Sequence, residues 1–241
     1  MRFMTKHETK NMISDALSAG RKSLLEPEAK ALLSAWGIPV PKSVSGQWSV
    51  VSGLKDVEPV LKKLIPPFVL KVISPDILHK SDVGGVVVGL KNEKEIEQAL
   101  NGIKISISNK APHAKIEGFL LEEMASKGVE VIIGGLMDQQ FGPAVMFGIG
   151  GVAVELLKDV AFRLAPIKRK EALEMMKEVK GYPLLTGYRG MKPVNIKGLG
   201  DIIVKISEII SELDGIKEIE INPLIVSDKG IIAVDARVFL K

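Results

Sequence analysis

None of the 241 residues is a cysteine, which excludes disulfides, thiolate nucleophiles and cysteine-based metal sites. Three histidines, His7, His79 and His113, are too few for a multi-histidine zinc site. Aromatics are scarce, with two Trp, two Tyr and seven Phe, and no basic stretch is interleaved with them. A stacking platform for nucleic acid is therefore not expected. No apolar run approaches the roughly 18 residues of a membrane span, so no membrane partner is expected either. The opening MRFMTKHETKNMISDAL lacks the apolar stretch of a secretory leader, and the cytoplasm is the expected compartment.

What is present suits a globular protein. A hydrophobic share of 46% supports a sizeable core, and a formal charge of +4 suits a phosphate-bearing ligand. Residues 9–36 read as helical, with EPEAKALLSAWG carrying Pro27 in its first turn and stopping at Gly37. IPVPKSV reads as a short strand and SGLKDVEPVLKKL as a helix. FVLKVIS and GGVVVGL follow as strands, and NEKEIEQALNGIKISI opens with Asn92 and Glu95 spaced as a capping box. From residue 117 the pattern becomes paired strands. VAVELLKDVAFRLAPI and KRKEALEMMKEVKG then read as helix and loop, and DIIVKISEIISELD as an amphipathic helix. Two strands joined by SDKG end the chain. This order predicts α+β lobes of about residues 26–115 and 116–241 with a cleft between them.

The last hairpin gives a geometric argument. If SDKG closes as a turn centred between Asp228 and Lys229, Asn222 faces Asp235 and Glu220 faces Arg237 on one side of the sheet. Opposed Cβ atoms lie roughly 4.5–5.5 Å apart, close enough for an amide oxygen and a carboxylate to share Mg²⁺. A merely polar surface fits the same residues about as well, and a bulge at Gly230 would break the register. Lys71 in FVLKVIS reads from the residues alone as an edge lysine with its head in water. Its other reading is a phosphate-binding group. His79 enters a loop with Lys80, Ser81, Gly84 and Gly85, donors and backbone suited to phosphate, and imidazole is a known phosphoryl acceptor. Gly148, Gly150 and Ala153 match a short dinucleotide pattern, but no βαβαβ scaffold follows.

Taken together, FVLKVISPDILHKSDVGGV, GVEVIIGGLMDQQFGPAVMFGIGGVAVELLKDVAFRLAPI, LLTGYRG and EINPL with VDAR carry a resemblance across nearly the whole chain. The chain resembles the ATP-grasp β subunit of archaeal ADP-forming acyl-CoA synthetases, the acetate–CoA ligases. It is similar, more distantly, to the N-terminal part of succinyl-CoA synthetase β subunits. The resemblance implies an α+β ATP-grasp fold of two lobes clamping ATP or ADP. Residues 1–25 would form a helical extension packing on the second lobe.

By the same resemblance Lys71 grips the phosphates, the loop of His79, Lys80 and Ser81 covers them, and Gly84 and Gly85 follow. Glu122, Glu123 and Met124 match the adenine hinge, Glu130 the ribose carboxylate, and Asn222 and Asp235 the Mg²⁺ ligands. Arg163 and Arg189 are further candidates for binding anions, since arginine suits forked phosphate contacts. His79 itself would be phosphorylated, relaying phosphate between a partner α subunit and ADP. Segments mobile around it, SPD before and GG after, would let it turn. The α subunit would carry the CoA-binding and acyl-transfer domains, in an α2β2 assembly. Two alternatives are a stand-alone ATP-grasp carboxylate ligase and a nucleotide-sensing subunit without catalysis.

Overall fold

Along β2 (Phe68–Ile73), Phe68, Leu70 and Val72 enter a hydrophobic core while Val69, Lys71 and Ile73 face the other way. The period-2 rule dictates this division. β2 is flanked on one side by β3 (Val86–Leu90) and on the other by β4 (Gly118–Glu123), which in turn pairs with β1 (Ser43–Gly46). All the pairings are antiparallel. Helix α3 (Glu93–Lys110) starts at Asn92, whose side chain accepts the Glu95 amide. It lays Ile96, Ala99, Leu100, Ile103 and Ile107 on the core side, with Phe119 and Leu121 of β4. The spacing is that of one helical face.

The computed structural model describes residues 4–48, 61–150, 159–190 and 192–241. It divides into two compact units, Pro41–Met124, just described, and Met1–Val40 together with Ala125–Lys241. The second unit holds a sheet ordered β10-β8-β5-β6-β7, from β5 (Val129–Asp138), β6 (Gly142–Ile149), β7 (Val160–Leu164), β8 (Ile216–Val226) and β10 (Ala236–Leu240). β9 (Ile231–Ala233) also pairs with β8. One face of this sheet is covered by α5 (Ile196–Glu212), which buries Leu199, Ile202, Ile203, Ile206, Ile209 and Ile210. They share a core with Val131, Ile133, Val145, Phe147, Ile219 and Ile221.

Several expectations are corrected. The helix expected over 9–36 is two, α1 (Lys6–Ser18), capped by Thr5, and α2 (Glu26–Ala35). The chain between them is drawn to the sheet, where Leu24 donates its amide to Val238 at 3.0 Å. Residues 26–40 consequently belong with the second unit and not with the first lobe: the Ala233 amide also donates to Pro39, at 2.8 Å. The first unit extends to Met124, past the expected boundary at 115, because β4 supplies the strand between β1 and β2.

Residues 160–164 form an edge strand in place of the expected helix, with Ala161 buried and Phe162 and Leu164 on the other face. The segment expected as a loop contains α4 (Arg169–Glu178), started by Glu171 accepting the Lys168 amide and anchored by Ala172, Met175 and Met176. Most of SGLKDVEPVLKKL, residues 152–158 of the helix expected over 152–167, and Ala153 of the dinucleotide pattern lie outside the described residues. No helix among the described residues is long and apolar enough to cross a membrane.

Candidate functional site

In the unit Pro41–Met124, Lys71 is 3% exposed and Glu122 1%. An ammonium buried in this way is costly unless paired. The pairing comes from β4, whose register sets Leu120 opposite Lys71 and Glu122 opposite Val69. Glu122 is thus the diagonal neighbour of Lys71 on the face away from the core. Its Oε2 lies 2.9 Å from Lys71 Nζ. The structure therefore corrects the picture of an edge lysine with its head in water, because a carboxylate from the adjoining strand meets it.

It also separates two glutamates that the sequence left equivalent. Glu123 points to the opposite face, where its carboxylate accepts the Ile65 amide at 3.0 Å and lies 4.0 Å from Lys42 Nζ. The backbone amides of Glu123 and Met124 donate to Lys42 and Pro67. This fixes the expected adenine segment by main-chain contacts.

His79 follows β2 on a turn and is exposed, as is Ser81, while the intervening Lys80 is 8% exposed. The turn is tied down on both sides. Ile77 sits in the core, Asp76 accepts the Lys115 amide at 2.7 Å, and Gly85 donates to Lys80 at 2.6 Å. Helix α3 adds Ser106, which donates to the Val83 carbonyl at 2.8 Å, and Lys110, which donates to that of Asp82 at 3.0 Å. The double glycine is required here. Gly84 has φ +68 and a Cβ there would lie 2.6 Å from Ser106 Oγ, while one on Gly85 would lie 2.8 Å from Val72. These contacts leave Leu78 and His79 exposed between buried Ile77 and Lys80.

In the other unit the SDKG turn closes with the Ser227 amide on Gly230 at 2.9 Å, and Lys192 lies 3.1 Å from Asp228. The hydrogen bond from Lys192 holds the Asp228 carboxyl below its usual range. The strands then run with Arg237 opposite Glu220 and Ala236 opposite Ile221, and the Asn222 amide donates to the Asp235 carbonyl at 3.2 Å. This is the register expected from the turn. Ile219 and Ile221 belong to the core, so Asn222 and Glu220 lie on the opposite, open face of the sheet. Glu130 is exposed on that face too, since its neighbours Val129 and Val131 are core residues and Ile225 stands opposite.

Its carbonyl accepts the Gly150 amide at 2.6 Å. Any Cβ at 150 would come within 2.9 Å of that carbonyl, which accounts for the glycine. The three acceptors Glu130, Asn222 and Asp235 thus share one unit. Among the described residues no group of three or more His, Asp or Glu forms a metal cluster. An amide oxygen beside a carboxylate nevertheless fits Mg²⁺, a hard cation that keeps several waters and takes further oxygens from phosphates.

The arginines diverge. Arg163 stands opposite Val145, a core residue, so it lies on the helix-covered face, away from Asn222. Its guanidinium forks onto both carboxylate oxygens of Glu178. The hydrogen bond raises Arg163 above its ordinary range and lowers Glu178. This corrects its expected part in phosphate binding. Arg189 is exposed at φ 51 and ψ 43, between Gly187 at φ 102 and Gly190 at φ 82, and stacks on Tyr188 at 5.3 Å. A non-glycine residue there is strained by about 1–3 kcal/mol. The pairing of Lys71 with Glu122 and the anchoring of Ile77 escaped the sequence reading. Strand alternation, which puts both charges on non-core faces, was the available signal for the first.

A family model, the ATP-grasp domain, matches residues 15–240. The chain is 46% identical to the β subunit of acetate–CoA ligase (ADP-forming) I of Pyrococcus furiosus, covering 95% of this chain and 96% of that one. It is 38% identical to acetate–CoA ligase (ADP-forming) I of Archaeoglobus fulgidus over 98% of its own length, and spans 33% of that longer protein. Among solved structures it matches acetyl-coenzyme A synthetase 1 of Ca. Korarchaeum cryptofilum in complex with coenzyme A, Ca-AMPCP and HgCl⁺, with a TM-score of 0.91 and 45% identity over 97% of this chain and 100% of that chain. The same enzyme with coenzyme A and Mg-AMPPCP, its phosphohistidine segment pointing towards the nucleotide-binding site, matches at a TM-score of 0.83 and 44% identity, again over 97% of this chain and 100% of that one. Matched along nearly the full length of a named subunit, the chain belongs to the ATP-grasp β subunits of ADP-forming acetate–CoA ligases.

Proposed function

We propose that this chain is the nucleotide-handling subunit of an enzyme that converts acyl-CoA, ADP and phosphate into a carboxylate, CoA and ATP. Its own step is phosphoryl transfer between His79 and ADP. The observation that carries this reading is an exposed histidine held on a tied turn between two buried residues, in a chain related to an enzyme whose phosphohistidine segment is named as such. Such a turn presents the imidazole to solvent.

In the transfer, the P–N bond of phospho-His79 breaks as a P–O bond forms to a terminal oxygen of the ADP β-phosphate. The ring nitrogen keeps the bonding pair and takes a proton from solvent. An in-line displacement of this kind relies on positioning and on neutralising charge on the equatorial oxygens. Lys71 supplies one positive charge, and Lys80, Ser81 and the amides around Gly84 and Gly85 supply donors. Glu130 accepts from the ribose hydroxyls, and segment 122–124 adjoins the adenine. Arg189, exposed and held out by its strained loop, is an added anion-binding candidate. Asn222 and Asp235 would hold Mg²⁺, which supplies electrostatic stabilisation of the phosphate oxygens when bound.

Acyl transfer would belong to an α partner with the CoA-binding domains, in an α2β2 assembly working in the cytoplasm. Support comes from the subunit naming of the Pyrococcus relative and from the fused Archaeoglobus relative, of which this chain matches about a third. The test is mass spectrometry of the chain incubated with ATP and Mg²⁺ under conditions that preserve acid-labile phosphohistidine. One phosphoryl group on His79, absent from His79→Asn, is expected. ATP binding with no phosphohistidine in the wild type would favour a nucleotide sensor instead.

A further inference from the structure

We infer that Arg163 guards the free edge of β7 against antiparallel pairing with the same edge of a second copy of this chain. β7 ends the sheet order, so among the described residues one of its sides has no neighbouring strand. One contact settles which groups face that side. The Ala165 amide donates to the Pro143 carbonyl of β6 at 2.8 Å, so by the two-residue period Ala161 and Arg163 also turn their backbone groups to β6. Val160, Phe162 and Leu164 then turn theirs outward, to the edge. There the Phe162 carbonyl is already taken, because Arg163 Nη1 donates to it at 2.8 Å. The guanidinium is held in turn by both carboxylate oxygens of Glu178 in α4, with Nη1 to Oε2 at 3.0 Å.

The strand has need of such a guard. Sheet edges are ordinarily blunted by proline, lysine or a bulge. VAFRL has neither proline nor lysine, and its register with β6 runs without a shift. Phe162 and Leu164 are 50% and 60% exposed on its open face, so an added strand would cover apolar surface. A second copy is the occupant that these residues fit. A two-fold axis through Phe162 sets that residue against its own counterpart, Leu164 against Val160, and Arg163 against Ala161. Aromatic and branched side chains then meet on one face, and no like charges stand opposite each other. The central bonds of this ladder would join the amide and carbonyl of Phe162 in the two copies. Arg163 competes for that carbonyl, and a hydrogen bond from a charged donor is about twice as strong as one from a neutral amide.

Sedimentation velocity of the full chain over a concentration series is the test. Arg163→Ala should pair with a dissociation constant about tenfold or more below that of the wild type, the change expected when one charge-assisted competitor is lost. Glu178→Gln keeps the shape and holds the guanidinium less firmly, so it should move the same way by less. That side chain is 50% exposed, which keeps the test open where Arg163→Ala folds poorly. Hydrogen exchange locates the contact: in the associated Arg163→Ala chain the Phe162 and Leu164 amides should exchange about tenfold more slowly or less. Adding Phe162→Lys sets two ammonium groups opposite each other across the two-fold axis and should restore wild-type behaviour. Unchanged association in both Arg163→Ala and Glu178→Gln overturns the inference. So does association that leaves the Phe162 and Leu164 amides exchanging freely, or a wild type that pairs through β7 as tightly as Arg163→Ala.

Discussion

Asn222 and Asp235 meet because a four-residue turn sets the register of the strands that follow, and a turn is a local feature. Their pairing was therefore legible in SDKG, with the alternation of EIEIN and VDAR deciding which side they face. Lys71 was legible only in half. Alternation put it opposite Phe68, Leu70 and Val72, but nothing local shows that Glu122, far along the chain on another strand, lies within reach. Arg163 misled for the same reason: residue type suggested an anion, while its partner Glu178 comes from a helix the local pattern did not disclose. At the metal pair, Asp235→Asn keeps nearly the same shape, and its amide oxygen can still accept the Ala236 amide that Asp235 holds at 2.9 Å. The fold should persist while Mg–ADP affinity drops by about tenfold or more, since a carboxylate is the stronger ligand for a hard cation. Calorimetry showing unaltered affinity for Mg–ADP would remove this pair from the site.

The elements were most legible where their signals were dense. α5 shows apolar residues over one full face, and α3 carries its own cap, so both were expected and found. β7 has only Val160, Phe162 and Leu164 on its outer face, too short an alternation to outweigh a preceding run that reads as helix. The turn bearing His79 is an element of another sort, shaped by two glycines and two side chains of α3. Here Gly84→Ala puts an alanine at φ +68 with its Cβ 2.6 Å from Ser106 Oγ. Stability should fall by about 1–3 kcal/mol in urea denaturation, the range for a non-glycine residue forced into such a conformation. Full stability in the single variant would show that the turn does not need its left-handed residue.

For the whole molecule, the discontinuity of the second unit explains why lobe boundaries were hard to place by eye. The chain up to Val40 joins a strand and a helix nearly two hundred residues later, through Leu24 on Val238 of β10 and through Lys205 of α5, which donates to the Gly37 carbonyl at 2.6 Å. Each unit closes its own core, the first around β2, β4 and α3, the second around its sheet and α5. The residues proposed here for chemistry all serve the nucleotide or its metal, and none is proposed for the acyl group or CoA. The division of labour gives the last prediction. Supplied with acetyl-CoA, ADP, phosphate and Mg²⁺, the chain alone should make no ATP, although supplied with ATP it should still label His79. Addition of a partner subunit bearing the CoA-binding domains should restore ATP synthesis with the wild type. With His79→Asn it should restore none, because the asparagine amide cannot form the phosphoramidate. Coupled-enzyme assay of ATP in the three synthesis mixtures decides the matter. ATP formed by the isolated chain would make it a complete ligase, and ATP formed by His79→Asn with the partner would mean that phosphate passes to the nucleotide without a stop at His79.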